Sequence, residues 1–519
     1  MLDSEITARE KILVVDFGGQ YTHLIARRIR ELKVYSEVIP PEDLEIDALH
    51  RTNVKGIILS GGPRSVVEED APKLRKDVLT AGIPVLGICY GHQLIAYLFG
   101  GKVGPGERGE YGRATLKILK KDTIFNGFKD GETVWMSHRD QVKRLPDEFE
   151  TLARTEVTPI AAFKHKALPI YGIQFHPEVS HTPKGRRIFR NFLFKMCKCR
   201  KSWRPEKIVD FLIEEIKGKV GPREKVLCAV SGGVDSTTTA VIVSRAVGDR
   251  LIAVLVNHGL LRKGEAEEAL AMLRRLGINP IYIDASERFL QRLKGVRDPE
   301  KKRRIIGEEF IKVFEEAVAG IEGVKWLAQG TIYPDRVESG RTGRRTSVIK
   351  THHNVGGLPD RMKLKLLEPL RHFYKDEVRK IAKALGLPKE LWTRHPFPGP
   401  GLAVRIIGEV NREKLYIVRE ASAIVEEELR KAGLYEKVWQ AFAVVGDDKW
   451  VGVQGDERKV GYIVTVRIVE SVDAMTADWA KIPSRILERI SERITREIPS
   501  VTMVTYAITS KPPSTIEPC

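Results

Sequence analysis

Ser231-Gly232-Gly233-Val234-Asp235-Ser236 directly follows the apolar run Val226-Leu227-Cys228-Ala229-Val230 and leads into residues 237–247, which read as a helix. A strand, a glycine turn and a helix start make a phosphate cradle, because backbone N–H groups point outward and the helix dipole favours an anion. P-loop nucleotide kinases and GTPases carry Gly-Lys-Ser/Thr at the end of such a loop, and this chain does not. The strand also sets the fold class. The rhythm repeats as strand 251–256, helix 265–276, strand 281–284, helix 300–318 and strand 325–328, which is the alternation of a parallel sheet.

Upstream, the same alternation runs from Lys11 to about Lys195, with strands at 12–17, 56–59 and 85–88 and a helix at 21–32. A basic connector, roughly residues 197–204, follows. Downstream, His395-Pro-Phe-Pro-Gly-Pro-Gly401 is stiff and helix-breaking. Beyond it, helices at 413–431 and 486–498 flank strands near 460–469 and 501–508, an α+β pattern. Three modules are expected, at 11–200, 203–394 and 395–519, in line with about three cores for a chain of 519 residues.

The first module carries chemistry of its own. Gly87-Ile88-Cys89-Tyr90-Gly91 ends a buried strand and opens a helix, so Cys89 lies on a nucleophile elbow. A helix N-terminus lowers a thiol pKa, and a nucleophilic thiol needs a base with an orienting partner. His176-Pro177-Glu178 supplies both, since residues i and i+2 of an extended chain point the same way.

Gly-Ile-Cys-Tyr-Gly-His-Gln and Gln-Phe-His-Pro-Glu resemble the signatures of class I glutamine amidotransferases. The resemblance implies a Cys89, His176, Glu178 triad and an oxyanion hole from Gly62 and the N–H of Tyr90. Ser-Gly-Gly-x-Asp-Ser resembles the pyrophosphate loop of the N-type ATP pyrophosphatases. It implies that Ser231, Gly232, Gly233, Val234, Asp235 and Ser236 bind ATP, with Asp235 holding Mg²⁺ through the phosphates.

Over essentially its whole length the chain resembles the glutamine-hydrolysing GMP synthases. The further matching motifs are Gly330-Thr-Ile-Tyr-Pro-Asp335, Lys350-Thr-His-His-Asn-Val-Gly-Gly-Leu-Pro359, Val451-Gly-Val-Gln-Gly-Asp456, Met475-Thr-Ala-Asp-Trp479 and Lys511-Pro-Pro-Ser-Thr-Ile-Glu517. The implied fold is an α/β amidotransferase domain, a doubly wound parallel-sheet ATP pyrophosphatase domain and a C-terminal α+β dimerisation domain. XMP, ATP and glutamine are the implied substrates, and adenyl-XMP the intermediate. Lys350, His352 and His353 suit a mobile lid that brings cations to a triphosphate. Asp335 and Glu338 would place carboxylates near Mg²⁺ or the activated oxygen. Arg303, Gln454, Lys511 and Glu517 would hold XMP. One departure stands out: where the family carries an arginine eight residues before Lys511 this chain has Met503, and Ala507 replaces an aspartate.

Composition sets limits. With 42% hydrophobic and 30% charged residues, the chain is expected to be soluble, and it has no apolar run near the roughly 20 residues of a membrane span. Residues 1–10 lack a secretory h-region and the five cysteines form an odd, sparse set, so a cytoplasmic location is expected. The net charge of +18 is spread along the chain and interleaved with Glu, and no nucleic-acid partner is expected. Cys197-Lys-Cys199 has no second Cys or His pair at ligand spacing and reads as structural. Mg²⁺ with ATP is the expected cofactor, without an organic prosthetic group, and a homodimer is the expected assembly. One rival class is an RNA-modifying ATP pyrophosphatase, but it needs no built-in glutaminase, and its thiolase members need cysteines that Cys228 and Cys519 are poorly placed to be; a second is another glutamine-dependent ligase, such as an NAD synthetase or CTP synthase, against which the Lys511–Glu517 tail argues.

Overall fold

The computed structural model describes residues 9–336, 364–454, 456–471 and 476–519. The chain divides into two compact units, Met1–Arg204 and Pro205–Cys519.

In the first unit nine strands form one sheet. They are β1 (Lys11–Val15), β2 (Tyr35–Ile39), β3 (Val54–Leu59), β4 (Val85–Ile88), β5 (Lys102–Ile118), β6 (Glu132–Arg144), β7 (Phe149–Arg154), β8 (Ala162–His165) and β9 (Ile170–Ile173). The order is β2-β1-β3-β4-β9-β8-β7-β5-β6. The β2-β1-β3-β4-β9 half is parallel, as the βαβ rhythm predicts. The other half is antiparallel and ends in a long β5–β6 ribbon that the alternation in sequence does not announce. Its pattern is broken by Gly104, Pro105, Gly106, Gly109 and Gly112, and much of it faces solvent. β4 is buried along its whole length, with Val15, Leu59, Leu94 and Phe163 in the same core. The connector folds into this unit: Trp203 is buried, its ring 4.7 Å from that of Tyr35.

In the second unit β10 (Lys225–Ala229), β11 (Leu251–Asn257), β12 (Ile281–Asp284), β13 (Val324–Ala328) and β14 (Lys365–Leu367) form a parallel sheet of order β12-β11-β10-β13-β14. The chain winds outward from β10 on one side, then returns to its other side at β13. This topological switch leaves a crevice at the carboxyl end of β10, where ligands bind in doubly wound folds. A second sheet holds β15 (Gln440–Gln454), β16 (Glu457–Glu470), β17 (Asp478–Trp479) and β18 (Val501–Tyr506), covered by the helices Arg412–Lys431 and Ser484–Glu497. One apolar cluster runs through both sheets, from Leu227, Val254 and Phe314 through Leu402 and Val418 to Val464 and Ile490. Among the described residues no helix is long and apolar enough to cross a membrane.

Candidate functional site

Cys89 stands between β4 and the helix Tyr90–Leu98 with φ +53°, a left-handed conformation that costs a non-glycine residue energy. Close packing forces this turn: a Cβ at Gly87 would lie 2.5 Å from the Gly91 backbone, and one at Gly91 2.5 Å from Leu59. The thiol faces Ser137 O at 3.7 Å.

His176 follows β9, its backbone N–H donating to Trp135 O at 2.9 Å. Its Nδ1 lies 2.6 Å from Glu178 Oε1, and both residues are buried. Burial opposes charge on the ring, but Glu178 and Cys89 outweigh it and raise the His176 pKa to about 10. The imidazole thus contacts the Glu178 carboxylate, and both Glu178 and Cys89 act on its charge. Thr182 donates to His176 O at 2.6 Å, and the Tyr21 ring meets the imidazole edge-on at 5.3 Å.

The oxyanion-hole expectation meets a closer neighbour. A Cβ at Gly61 would lie 3.3 Å from His176 and 3.7 Å from Cys89, whereas Gly62 packs against Phe17 and the Tyr90 ring. Sequence reasoning also missed the wall formed by β6. Glu110 pairs with His138 across the ribbon, and both are buried. Thr158 and Thr155 donate to Glu110 Oε2 at 2.6 and 3.0 Å, and His138 Nε2 lies 3.6 Å from the same oxygen. The other nitrogen of His138 bonds Asp140 O at 2.9 Å, and Gln93 donates to that carbonyl at 2.7 Å. These contacts fix His138, the next residue after Ser137, whose carbonyl faces Cys89.

In the second unit the Ser231–Ser236 loop lies at the switch point. Ser236 Oγ accepts from Ser231 N at 3.1 Å and stands 3.0 Å from Ser231 Oγ. Gly232 has φ +73°, and Gly233 caps the helix Val234–Val247, which starts three residues before the predicted 237. Asp235 Oδ2 pairs with Lys375 Nζ at 2.8 Å. Asp235 Oδ1 is buried with no hydrogen-bond partner among the described residues. Asp335 accepts from Ile332 N at 3.3 Å. Glu338, Lys350, His352 and His353 lie outside the described residues.

Two of the residues expected at XMP meet near the chain's last residues. Arg303 donates to Cys519 O, and Glu517 is held by Arg405 and Gln440. Lys511 pairs with Ala477 through backbone hydrogen bonds, and Gln454 ends β15 opposite Glu457. Cys228 is buried in β10, and burial pushes its thiol up to about 12, which makes it a poor nucleophile. Among the described residues no group of three or more His, Cys, Asp or Glu could hold a metal alone.

Three family models match this chain: "Glutamine amidotransferase class-I" over residues 13–196, "NAD synthase" over 205–305 and "GMP synthase C terminal domain" over 427–518. A glutamine-hydrolysing GMP synthase from Pyrobaculum aerophilum is 62% identical over 98% of this chain and 100% of its own. The chain belongs to the glutamine-hydrolysing GMP synthase family. A family member from Aquifex aeolicus is 54% identical over 98% of this chain and 99% of its own. Another, from Carboxydothermus hydrogenoformans, is 52% identical over 98% of this chain and 99% of its own. In family terms, the first match takes in the Cys89 elbow and His176-Pro177-Glu178, the second the Ser231–Ser236 loop, and the third Lys511 and Glu517.

Proposed function

We propose that this chain converts XMP, ATP, glutamine and water into GMP, AMP, pyrophosphate and glutamate in de novo guanine nucleotide synthesis. The carrying observation is that one chain of this family holds both a thiol–imidazole–carboxylate array and a Ser-Gly-Gly-x-Asp-Ser phosphate loop.

At the first site the Cys89 thiolate attacks the carboxamide carbon of glutamine. N–H groups of the Gly61–Gly62 turn and of Tyr90 receive the developing oxyanion. The His176 imidazolium, held by Glu178, gives its proton to the leaving ammonia, and water then releases glutamate from the thioester.

At the second site the XMP 2-oxygen attacks the α-phosphate of ATP and pyrophosphate leaves. Ammonia then adds at C2 of adenyl-XMP and AMP departs. Ser231, Ser236 and the loop N–H groups hold the phosphates. The unpartnered Asp235 Oδ1 fits a Mg²⁺ role, and since no protein cage is present among the described residues the ion would share phosphate ligands. Held there with ATP, Mg²⁺ would supply neutralisation of the charge on the pyrophosphate leaving group. Lys350, His352 and His353 serve as the lid in this reading, with Asp335 and Glu338 at the adenylation centre. Arg303, Gln454, Lys511 and Glu517 contact XMP.

A homodimer formed through the C-terminal sheet is part of the same reading, supported by Trp450, Val451, Val453 and Val460, exposed apolar residues of β15 and β16. A cytoplasmic location is supported by five free thiols.

The test supplies XMP, Mg-ATP and glutamine and follows all four products. GMP, AMP, pyrophosphate and glutamate are expected in equal amounts. ATP cleavage stimulated by RNA instead of XMP would sink the reading.

A further inference from the structure

A basic cavity of about 420 Å³ opens in the second unit, and none of its lining residues is among those assigned to ATP or XMP. Arg379, Lys380 and Lys383 line it from the helix Lys375–Ala384, Arg394 from the segment that follows, and Lys437 from the turn before β15. Residues three and four apart share a helix face, so Lys383 stands beside both Arg379 and Lys380, and like charges so placed weaken a helix. The acid that lines the cavity, Glu436, is paired with Lys389 at 2.7 Å. Arg394 is held by Glu265 and Glu268, but Lys380, Lys383 and Lys437 make no ion pair among the described residues. Folding alone does not account for this much uncompensated charge in one concave place.

The same wall offers flat rings and an acceptor. Trp392 is half-buried, its indole N–H donates to Leu387 O at 3.3 Å, and Lys383 Nζ lies 5.9 Å from the ring centre. Trp439 is likewise half-buried. His395, also in the wall, is 5% exposed. Its Nε2 lies 2.8 Å from Tyr435 O, and a carbonyl only accepts, so Nε2 carries the proton and Nδ1 is the acceptor. Burial, aided by Arg262, Arg430 and Arg379, outweighs the Tyr435 carbonyl and lowers the His395 pKa to about 4, so the ring stays neutral. Nδ1 is enclosed and has no partner among the described residues. Such an atom is costly to leave unpaired, which suits a wall that meets a donor from outside the chain.

We propose that this cavity is a second nucleotide site, which takes a purine nucleoside monophosphate. Lys380, Lys383 and Lys437 receive the phosphate, the base stacks on an indole of the wall, and a base N–H or amino group meets His395. A free phosphate would satisfy the lysines alone and leave the indoles and His395 unused. The site is independent of the reaction proposed above. That reading enters only through the reference site, the XMP residues, which the product GMP also fills.

Equilibrium dialysis of radiolabelled GMP against the full-length protein tests it. About two equivalents per chain are expected to bind. Lys380→Glu combined with Lys383→Glu, both exposed positions whose change spares the core, should weaken one equivalent about tenfold or more and leave the other. Trp392→Ala should weaken the same equivalent, and Lys511→Ala the opposite one. GMP binding that is identical in the wild type and in the folded lysine and tryptophan variants overturns the proposal. Lysine-sensitive binding that Lys511→Ala leaves untouched supports this site and counts against the XMP assignment instead. In Lys511→Ala, AMP should displace the remaining GMP far better than inorganic pyrophosphate does. Equal displacement by the two would reveal an anion site only and defeat the nucleotide assignment.

Discussion

Glu517 is clamped to Arg405 by two hydrogen bonds, Oε1 from Nη2 at 3.1 Å and Oε2 from Nε at 3.2 Å. The Arg405 side chain is 1% exposed and lies 4.2 Å over the Phe442 ring, so its charge depends on this partner. Removing one member of a buried pair costs about 3–5 kcal/mol. Partial water access at Glu517 favours the lower end. Glu517→Ala is expected to lower the melting temperature by several degrees in calorimetry, and an unchanged transition would show that the pair is dispensable.

Cys89→Ala should abolish glutamine-dependent GMP formation while ammonium-dependent formation persists, because ammonia reaches the second reaction as a free reagent. The check is GMP yield with each nitrogen donor. A folded variant that is dead with both would contradict the division of labour.

The His176 pair makes a pH prediction. Its pKa is raised from 6.5 to about 10 against the pull of burial, by Glu178 and Cys89. A raised folded-state value stabilises the protein fully below pH 6.5, and that stability is lost as pH climbs through about 10. Glu178→Gln removes the larger raising charge, so the His176 imidazolium becomes less stable. The His176 imidazole, followed by NMR, should titrate at lower pH in Glu178→Gln, and superimposable titration curves would exclude an electrostatic role for Glu178.

Glu110→Ala leaves Thr155 and Thr158 without their shared acceptor and removes the carboxylate 3.6 Å from His138, the neighbour of Ser137 in the wall beside Cys89. We expect glutamine-dependent turnover to fall about tenfold or more, at roughly 1.4 kcal/mol per tenfold, with the ammonium reaction preserved. Parallel losses with both donors would show general destabilisation instead.

Met503 lies on β18 opposite Ile463 and is half-buried, so an arginine there can reach solvent. Met503→Arg, which places there the arginine that the family resemblance implies, is expected to lower the KM for XMP, and Lys511→Ala to raise it sharply while glutaminase activity stays intact. Steady-state kinetics in XMP decide this. A KM unmoved in both variants would detach this sheet from nucleotide binding.

Where neighbours in sequence are neighbours in space, the chain was legible. Cys89 is announced by its flanking glycines, and His176 with Glu178 by spacing alone. The strands β4, β10 and β11 could be read from unbroken apolar runs. The Glu110–His138 pair exists only through the register of β5 and β6, which the glycine-rich ribbon hides. The choice between Gly61 and Gly62 depends on the path of the backbone through the turn. Lys375 left one faint trace, a cation at a helix start, but its partner 140 residues away has no local signal.

The apolar cluster that joins Leu227 to Ile490 has a consequence for how this chain can be divided. Composition marks a seam at residues 395–401, yet Leu402, Ala403 and Ile406 beyond it are buried in the same core as Val254 and Phe314 before it. A gene split at this seam would yield two polypeptides, each with half an interior facing water, prone to aggregate until they meet. Between Arg204 and Pro205 the units part, and a split there leaves each interior whole. If evolution or an engineer distributes these activities over separate genes, that second junction is where the chain permits it.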